Sequence, residues 1–249
     1  MITVYGHTGM VGSQLYRWLK EHGANVAGVS LDKTDGDIEG NTWAFLCLPT
    51  LNVGHEQDQS AIWDVCDKLE GYVVIRSTIL PTTCAQLRWA YPHLTIYHWP
   101  EFLSERTAYA DFCGPKVRIV GGQAIEPWDR EIEPLLPPAP VVHVSTETSE
   151  TIKYAHNVHG AMEVIYANLM YDVCVKGGGS WEKVRELLPR LGYIAPEMAK
   201  AYWDVWKDGK RGYGGHCFPK DVQALADWHK SDLLDGMQRA NEILGGGKR

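Results

Sequence analysis

The sequence has no basic block, no paired cysteines and no long apolar run. Its formal net charge is −7, so the sequence lacks the basic patch that is typical of nucleic-acid binding. The six cysteines show neither a C-x-x-C pair nor metal-ligand spacing, which favours a reduced protein without a metal site. No run approaches the length of a membrane span, and the N-terminus has neither a basic region nor a cleavage site. These absences predict a cytoplasmic protein.

The composition allows a substantial core, with 45% hydrophobic and 22% charged residues. Apolar segments alternate with helical patterns as far as about residue 146, which predicts a Rossmann-type, doubly wound parallel sheet. The predicted strands are Ile2–Tyr5, Asn25–Ser30, Trp43–Leu48, Tyr72–Arg76, Thr95–Trp99, Val117–Val120 and Val141–Val144. The predicted helices are Met10–Glu21, Ala61–Leu69, Thr83–Ala90 and Ile125–Leu135, and the polar stretch Leu31–Asn41 is predicted to be a loop.

The pattern becomes helical after residue 146. The predicted helices of this part are Glu147–Lys176, Trp181–Leu191, Pro196–Trp206 and one that begins near Lys220. We therefore expect two domains, an α/β domain over residues 1–146 and an all-α domain with a long central helix over residues 147–249.

A glycine-rich turn follows the first predicted strand. Gly6, Gly9 and Gly12 form G-x-x-G-x-x-G, which permits a tight turn and a close approach of the backbone to a pyrophosphate. The next helix, with Met10 and Val11 in its first turn, then directs its N-terminus at the phosphate charge. Glycines are common in strand–helix turns, but here the motif begins the first unit of an alternating domain. It predicts dinucleotide binding.

An acidic residue beyond this turn is expected to hold the adenosine ribose. Asp32 lies twenty residues after Gly12 and is our candidate, which favours NAD. The alternatives are that Asp32 is a solvated loop carboxylate and that Ser30 occupies the strand-end position. The choice of NAD over NADP is therefore open at this point.

The most specific string is RGYGGHCFPKDVQAL, at Arg211–Leu225. It resembles the active-site string G-[YF]-G-G-x-C-[FL]-P-K-D of the UDP-glucose/GDP-mannose dehydrogenase family. Other segments resemble that family in the same order, namely FLCLPT (Phe45–Thr50), RSTILPTT (Arg76–Thr83), PEFLSERTAYADF (Pro100–Phe112) and ETIKYAHN (Glu150–Asn157). The resemblance covers nearly the whole chain.

This resemblance implies a set of catalytic residues. Cys217 is the implied nucleophile, and Asp221 is implied to orient water or accept its proton. Lys153 and Asn157, which one helix places on the same face, are implied to stabilise an oxyanion. Thr78 and Glu101, at predicted strand ends, are implied to hold a water near the nicotinamide. Each of these residue types also has an ordinary structural role, such as a buried cysteine, a solvated lysine or a polar helix cap.

The resemblance also implies binding residues. The implied cofactor is NAD, with contacts at Gly6, Gly9, Met10, Val11, Gly12, Asp32, Pro49, Thr50, Ser77, Thr78 and Lys220. The implied substrate is a sugar or nucleotide sugar, with contacts at Glu101, Phe102, Leu103, Lys153, Asn157, Tyr213, Gly214 and Gly215.

The expected chemistry explains why a cysteine is needed. Oxidation of an alcohol to an acid removes two hydrides, and an aldehyde gives up the second one only after it has added a nucleophile. A thiohemiacetal on Cys217 can be oxidised to a thioester, which water hydrolyses. A cation near such a cysteine lowers the pKa of the thiol and stabilises the tetrahedral oxyanion.

The sequence departs from the family in several places. Only a dozen residues separate Ser30 from Trp43, where the family has a further helix and strand, and the glycine turn has one extra residue. The chain stops at Arg249, so we expect it to lack the family's C-terminal nucleotide-binding domain. Smaller changes are Ser104, Arg106 and His216.

These departures leave several functions open. In one alternative a separate chain supplies the nucleotide site, and in another the protein oxidises a smaller or different sugar. In a third it is an inactive truncated relative that binds a dinucleotide or a partner. A one-step hydroxyacid-type dehydrogenase is a further class, although such chemistry does not need the cysteine loop. The intact set of matched polar residues favours the two-step enzyme.

A homodimer is expected through the helix at 147–176, which resembles the family's central helix. Its apolar residues recur at intervals of three and four, namely Ile152, Ala155, Val158, Met162, Ile165 and Leu169. The alternative is that this stripe packs only on its own chain.

Overall fold

The computed structural model describes residues 1–245. The chain forms two compact units, one made of Met1–Val53 and Gln57–Lys153 and the other of Gly54–Glu56 and the chain from Tyr154 onward. No helix among residues 1–245 is both long enough and apolar enough to cross a bilayer.

The first unit contains an eight-stranded sheet. Its strands are β1 (Ile2–Tyr5), β2 (Val26–Val29), β3 (Thr34–Asp35), β4 (Trp43–Leu46), β7 (Gly71–Ile75), β8 (Leu94–His98), β9 (Arg118–Gly121) and β10 (Val141–Val144). They lie in the order β10-β9-β8-β7-β4-β1-β2-β3, and β5 (Asn52–Val53) and β6 (Glu56–Gln57) form a separate two-stranded sheet.

The large sheet is mostly parallel, which confirms the predicted fold class. Two neighbouring pairs are antiparallel, β2 with β3 and β8 with β9. β3 lies in the stretch that was predicted to be a loop, so that prediction was wrong for Thr34–Asp35. A strand of two residues is too short to show a periodic pattern, and only its pairing with Gly28 and Val29 defines it.

Helices of the first unit lie between these strands. They are α1 (Met10–Glu21), α2 (Ser60–Cys66), α3 (Thr83–Ala90), α4 (Ala108–Cys113) and α5 (Ile125–Glu131), and a 3-10 helix follows at Glu133–Leu135. The bounds of α1 and α3 are those predicted. α4 was not predicted, because six residues give less than two turns of helical periodicity.

Alternation along the central strands builds a core on both faces of the sheet. In β4, Trp43 and Phe45 belong to one buried cluster, and Ala44 and Leu46 belong to another. Successive residues of a strand point to opposite faces, so both faces are covered. Burial on both sides is typical of parallel sheets whose connections are helices.

The long helix α6 (Thr146–Lys176) belongs to both units. Its first turns bond to first-unit residues: Arg88 donates to Thr146 Oγ1 at 2.8 Å, and His98 Nδ1 lies 2.8 Å from Ser149 Oγ. These bonds explain why the units divide after Lys153 and not at residue 146, where the helical pattern begins.

The remaining helices lie in the second unit. They are α7 (Trp181–Leu187), α8 (Pro196–Tyr202), α9 (Phe218–Trp228) and α10 (Asp232–Ile243). The predicted helix Trp181–Leu191 becomes a 3-10 helix at Leu188–Leu191, where Pro189 removes a backbone donor. The predicted helix Pro196–Trp206 ends at Tyr202, and the final helix begins at Phe218 and is followed by α10.

Candidate active site

The glycine turn lies between β1 and α1, as its sequence predicts. Gly6 has φ +80° and donates its N–H to Val29 at 2.7 Å. A Cβ on Gly12 would lie 2.2 Å from the Gly6 carbonyl oxygen, so glycine is required there. Gly9 is the N-cap of α1 and provides no capping side chain. Met10 is 37% exposed and Val11 is half-buried, so this helix start is open to a ligand.

Residues that follow β4 and β7 meet at the carboxyl edge of the sheet. Thr50 Oγ1 donates to the Thr78 carbonyl at 2.7 Å, and Ser77 Oγ donates to the Leu48 carbonyl at 2.7 Å. Pro49 is exposed and Thr78 is half-buried. Ligands of open parallel sheets bind at this edge, and four predicted cofactor residues lie there.

Asp32, the predicted ribose-binding residue, does not lie directly at the end of a strand. β2 ends at Val29, so Ser30 is the first residue after the strand. Asp32 lies in the exposed turn beyond it. The structure therefore assigns the strand-end position to Ser30, the alternative that the sequence left open.

Glu101 and Lys153 form a buried ion pair in the first unit. Lys153 Nζ donates to Glu101 Oε1 at 2.8 Å and to the Glu101 carbonyl at 2.6 Å. The other carboxylate oxygen accepts the Leu103 N–H at 2.8 Å. Glu101 is 7% exposed and Lys153 is 2% exposed, and the ammonium lies 5.3 Å from the centre of the Phe102 ring. Four of the predicted site residues thus form one cluster.

The charges of this pair determine how Glu101 ionises. Burial alone would raise the pKa of the Glu101 carboxyl. The Lys153 charge, the hydrogen bonds from Lys153 and Leu103, and the charge of Arg76 outweigh burial, so the pKa is lowered. Glu101 is therefore ionised at neutral pH, and it can accept hydrogen bonds but cannot donate them.

We expect the free energy of unfolding to depend on pH through the ionisation of Glu101. Because its folded-state pKa is lowered, it stabilises the fold fully above its unfolded pKa of about 4.3, and this contribution disappears as the pH falls through the folded value. The free energy of unfolding of the wild type should exceed that of Glu101→Gln by about 2 kcal/mol at pH 6, the contribution of a hydrogen bond to a charged group.

Urea unfolding between pH 3 and pH 7 would measure this difference. The gap between the two free energies should narrow as the pH falls, because the wild-type carboxyl becomes protonated. A gap that stays constant over the whole range would show that the Glu101 charge does not stabilise the fold. Glu105→Gln is a matched control, because Glu105 is exposed and that variant should follow the wild type.

Glu150 holds the turn that follows Thr78. Its carboxylate accepts the N–H groups of Thr82 and Cys84, each at 2.8 Å, at the start of α3. Thr82 has φ +80°, a left-handed conformation that a residue with a Cβ adopts only at a cost. The sequence showed Glu150 only as the first residue of a motif, and its role depends on a contact between residues far apart in the chain.

Cys217 lies at the start of α9 in the second unit. It is the N-cap residue of that helix, half-buried, and its carbonyl accepts the Asp221 N–H at 2.9 Å. The positive end of a helix dipole stabilises negative charge. This position therefore suits a cysteine that reacts as a thiolate.

Asp221 is at the centre of a polar cluster beside this helix start. It is fully buried, and its Oδ2 accepts a hydrogen bond from Asn157 Nδ2 at 2.6 Å. Its Oδ1 forms an ion pair with Lys220, and Asn157 Oδ1 lies 2.9 Å from His156 Nδ1. A carboxylate, an amide and an ammonium can together orient water and hold a proton beside a reacting group.

The cysteine loop is held by a residue that the sequence analysis missed. Asn241 of α10 accepts the Tyr213 N–H at 2.7 Å and donates to the Tyr213 carbonyl at 3.0 Å. Gly212 and Gly215 on either side have φ +74° and φ +83°, and Gly214 and Gly215 are exposed. No sequence signal could connect Asn241 with this loop, because the bond joins distant segments.

A second contact fixes the loop from the other end. Phe218 follows Cys217 and packs against Gly160 of α6, where a Cβ would lie 2.6 Å from its ring. Arg211 donates to Asn168 Oδ1 at 2.8 Å and pairs with Asp172 at 2.9 Å. Cys217 thus lies between two anchored segments.

Comparison with known proteins shows which family the chain resembles. Residues 147–242 match the model of the central domain of the UDP-glucose/GDP-mannose dehydrogenase family. The UDP-glucose 6-dehydrogenase of Rhizobium meliloti is 32% identical over 225 residues, which cover 81% of this chain and 50% of that protein. These matches show that the chain is similar to the UDP-glucose/GDP-mannose dehydrogenase family.

Other relatives extend the comparison. The GDP-mannose 6-dehydrogenase of Pseudomonas aeruginosa is 29% identical over 77% of this chain and 47% of that protein. The chain thus spans about half the length of the curated relatives it matches. Among solved structures, the UDP-D-ManNAc dehydrogenase of Pyrococcus horikoshii superimposes with a TM-score of 0.84 at 19% identity, over 98% of this chain and 69% of that one, which confirms the fold.

Proposed function

We propose that this chain carries the cofactor-binding and catalytic parts of an NAD-dependent nucleotide-sugar dehydrogenase that oxidises a sugar C6 alcohol to the acid. The observation that carries the proposal is the second-unit cluster of Cys217 at the start of α9 with buried Asp221 held by Asn157 and Lys220. The names of the relatives, UDP-glucose 6-dehydrogenase and GDP-mannose 6-dehydrogenase, support the same reaction.

The first unit suits a dinucleotide. A side chain at Gly6 or Gly12 would collide with the backbone, so glycine is required for this tight turn. Because α1 begins at the turn, phosphates can approach the N-terminus of that helix. We assign the cofactor contacts to the glycine turn, to Pro49, Thr50, Ser77 and Thr78 at the sheet edge, and to Lys220. When bound, the nicotinamide accepts one hydride in each of two oxidation steps.

Charged and amide groups would act on the reacting oxygen. We assign oxyanion stabilisation to Lys153 and Asn157, and we assign the placement of a water molecule to Thr78 and Glu101. The Lys153 ammonium is already oriented by Glu101 at 2.8 Å, so it need not reorganise when negative charge develops. Substrate contacts are proposed at Phe102, Leu103, Tyr213, Gly214 and Gly215.

Cys217 would make the second oxidation possible. Its thiolate adds to the carbonyl carbon of the aldehyde, and the oxygen takes up a proton, which gives a thiohemiacetal. Loss of a hydride and of the hydroxyl proton gives a thioester. Asp221 then orients a water that attacks the thioester carbon, and the acid and the free thiol are released. Each turnover thus consumes two NAD.

A cofactor-reduction assay over a panel of nucleotide sugars and free sugars tests the function. We expect two equivalents of NADH per molecule oxidised for at least one nucleotide sugar. If no member of the panel supports NADH formation while the protein still binds NAD, the oxidoreductase proposal is wrong.

We expect Gly9→Val to abolish NAD binding. Gly9 has φ −75°, which valine can adopt, and its Cβ would lie 3.3 Å from the Gly6 carbonyl oxygen, so the fold should survive. The side chain would occupy the space that the pyrophosphate needs. Isothermal titration should show a loss of affinity of at least about a hundredfold, which corresponds to about 2.7 kcal/mol of binding free energy.

Gly236→Val serves as the comparison, because nothing lies within 4 Å of a Cβ at Gly236, which is an exposed residue of α10 outside the glycine turn. Unchanged NAD affinity in Gly9→Val would place the dinucleotide elsewhere. Circular dichroism of both variants checks that the fold is intact.

We also propose a homodimer through α6. Val158, Met162 and Ile165 of the predicted stripe pack in the core of the second unit, so that part packs on its own chain. Leu169 and Val173 on the same helix are 59% and 53% exposed. These side chains offer apolar area for a second copy.

Sedimentation at micromolar concentration should give a dimer for the wild type and a monomer for Leu169→Asp, because the charge would be buried without a partner. Leu191→Asp is a control on another surface, since Leu191 is 70% exposed and lies outside α6. A monomeric wild type would refute the dimer.

A further inference from the structure

The carboxyl end of β2 carries a hydroxyl where dinucleotide-binding folds commonly carry a carboxylate. In such folds an acidic residue near this point hydrogen-bonds the adenosine ribose of NAD, whereas a cationic residue accommodates the 2′-phosphate of NADP. Here the first residue after β2 is Ser30. Asp32 lies two positions later, in a turn that the Ser30 N–H closes by donating to the Lys33 carbonyl at 2.7 Å.

Ser30 is hydrogen-bonded to residues of the glycine turn. Its Oγ accepts the Thr8 N–H at 3.2 Å and the Thr8 hydroxyl at 2.9 Å, and it lies 3.0 Å from His7 Nδ1. His7 is 5% exposed, and its ring packs on Gly28, where a Cβ would lie 2.5 Å away. The end of β2 and the glycine turn are therefore joined through hydroxyl, amide and imidazole groups, without a carboxylate.

The charges in the adjoining turn oppose one another. Asp32 and Lys33 are neighbours, and both are exposed. Exposed charges are screened by solvent and salt, and a carboxylate next to an ammonium adds little net field. Asp35 is engaged elsewhere, since its carboxylate accepts the Tyr16 hydroxyl at 2.6 Å. The groups that face the end of β2 thus neither repel nor specifically attract a 2′-phosphate.

We propose that Ser30 removes the usual discrimination against NADP, so that the first unit binds NADPH within about tenfold of its affinity for NADH. This inference rests on the dinucleotide binding of the proposed function and extends it to the phosphorylated cofactor. A carboxylate at the strand end acts on a 2′-phosphate by charge repulsion. A serine hydroxyl has no charge, so Ser30 exerts no such repulsion on a 2′-phosphate.

Direct binding to the whole chain tests this inference without any substrate. The dissociation constants of NADH and NADPH are measured by titration of the reduced nicotinamide fluorescence, for wild type, Ser30→Asp, Ser30→Ala and Asp32→Asn. We expect a wild-type ratio of the two constants below tenfold. Ser30→Asp should raise that ratio by at least tenfold, while Ser30→Ala and Asp32→Asn should leave it within about threefold of the wild type.

Two results would overturn the inference alone: a wild-type preference for NADH above tenfold, and a preference that disappears in Asp32→Asn, which would make Asp32 the discriminating residue. Failure of the wild type to bind either dinucleotide would overturn the inference together with the cofactor part of the proposed function. The wild-type ratio decides the matter even if Ser30→Asp does not fold.

Discussion

Cys217→Ser should form at most one equivalent of NADH per substrate molecule, whereas the wild type forms two. The first hydride leaves an alcohol carbon and needs no bond to the enzyme. The second leaves a carbon that must first add a nucleophile, and a serine hydroxyl lacks the accessible thiolate at neutral pH. The position of Cys217 at the start of α9 favours an anionic sulfur but does little for a neutral hydroxyl. The measurement is the stoichiometry of NADH, with the sugar product identified by mass spectrometry.

The same experiment has an internal control in Cys174→Ser. Cys174 is another half-buried cysteine, on α6, and its loss should leave two equivalents of NADH. Intact-protein mass spectrometry of Cys217→Ser would reveal any ester that forms on the new hydroxyl and hydrolyses slowly. Two full equivalents of NADH in Cys217→Ser would show that the sulfur is not the nucleophile. The string GYGGHCFPKD would then be a structural loop.

Lys153→Ala should slow both oxidation steps by about a hundredfold or more, the usual effect of removing one group that stabilises a developing oxyanion. Both steps place charge on the same oxygen, so the NADH stoichiometry should stay at two while the rate falls. The variant also leaves the carboxylate of Glu101 buried without its cation. We expect a further loss of about 3–5 kcal/mol in the free energy of unfolding.

Activity and stability can be separated with a double variant. Lys153→Met with Glu101→Gln removes both charges and keeps similar volumes, so it should regain most of the stability but not the rate. Lys176→Ala is the matched single control, because Lys176 is an exposed lysine at the end of the same helix. If Lys153→Ala retains the wild-type rate, or if the double variant recovers it, Lys153 is a structural residue.

The chemistry-bearing residues could be predicted from sequence because they lie in short strings. GYGGHCFPKD contains Tyr213, Cys217, Lys220 and Asp221 within one loop and one helix turn, and Lys153 lies one helical turn before Asn157. The strand-end residues Thr50 and Thr78 could be placed because buried strands of a parallel sheet are clear apolar runs. The variants of Cys217 and Lys153 described above test whether those two residues have the proposed roles.

The rest depends on contacts between distant segments. Nothing local in the sequence pairs Glu101 with Lys153 or Asn241 with Tyr213. The ribose residue was uncertain for a different reason, since Ser30 and Asp32 differ by only two positions and strand ends are the least certain part of a prediction. β3 and α4 were missed because segments of two and six residues contain too little periodicity to be seen.

The bond between Asn241 and Tyr213 also sets an order of events during synthesis of the protein. The two residues are 28 positions apart, and a ribosome adds about 5–20 residues per second. Tyr213 in the loop that carries Cys217 is therefore made about 1–6 seconds before Asn241, which holds its backbone in place. A nascent chain that stops before α10 already contains the whole GYGGHCFPKD string, but it lacks the Asn241 amide that fixes the Tyr213 backbone. We therefore expect the loop that carries Cys217 to acquire its final geometry late, when the last described helix folds onto it.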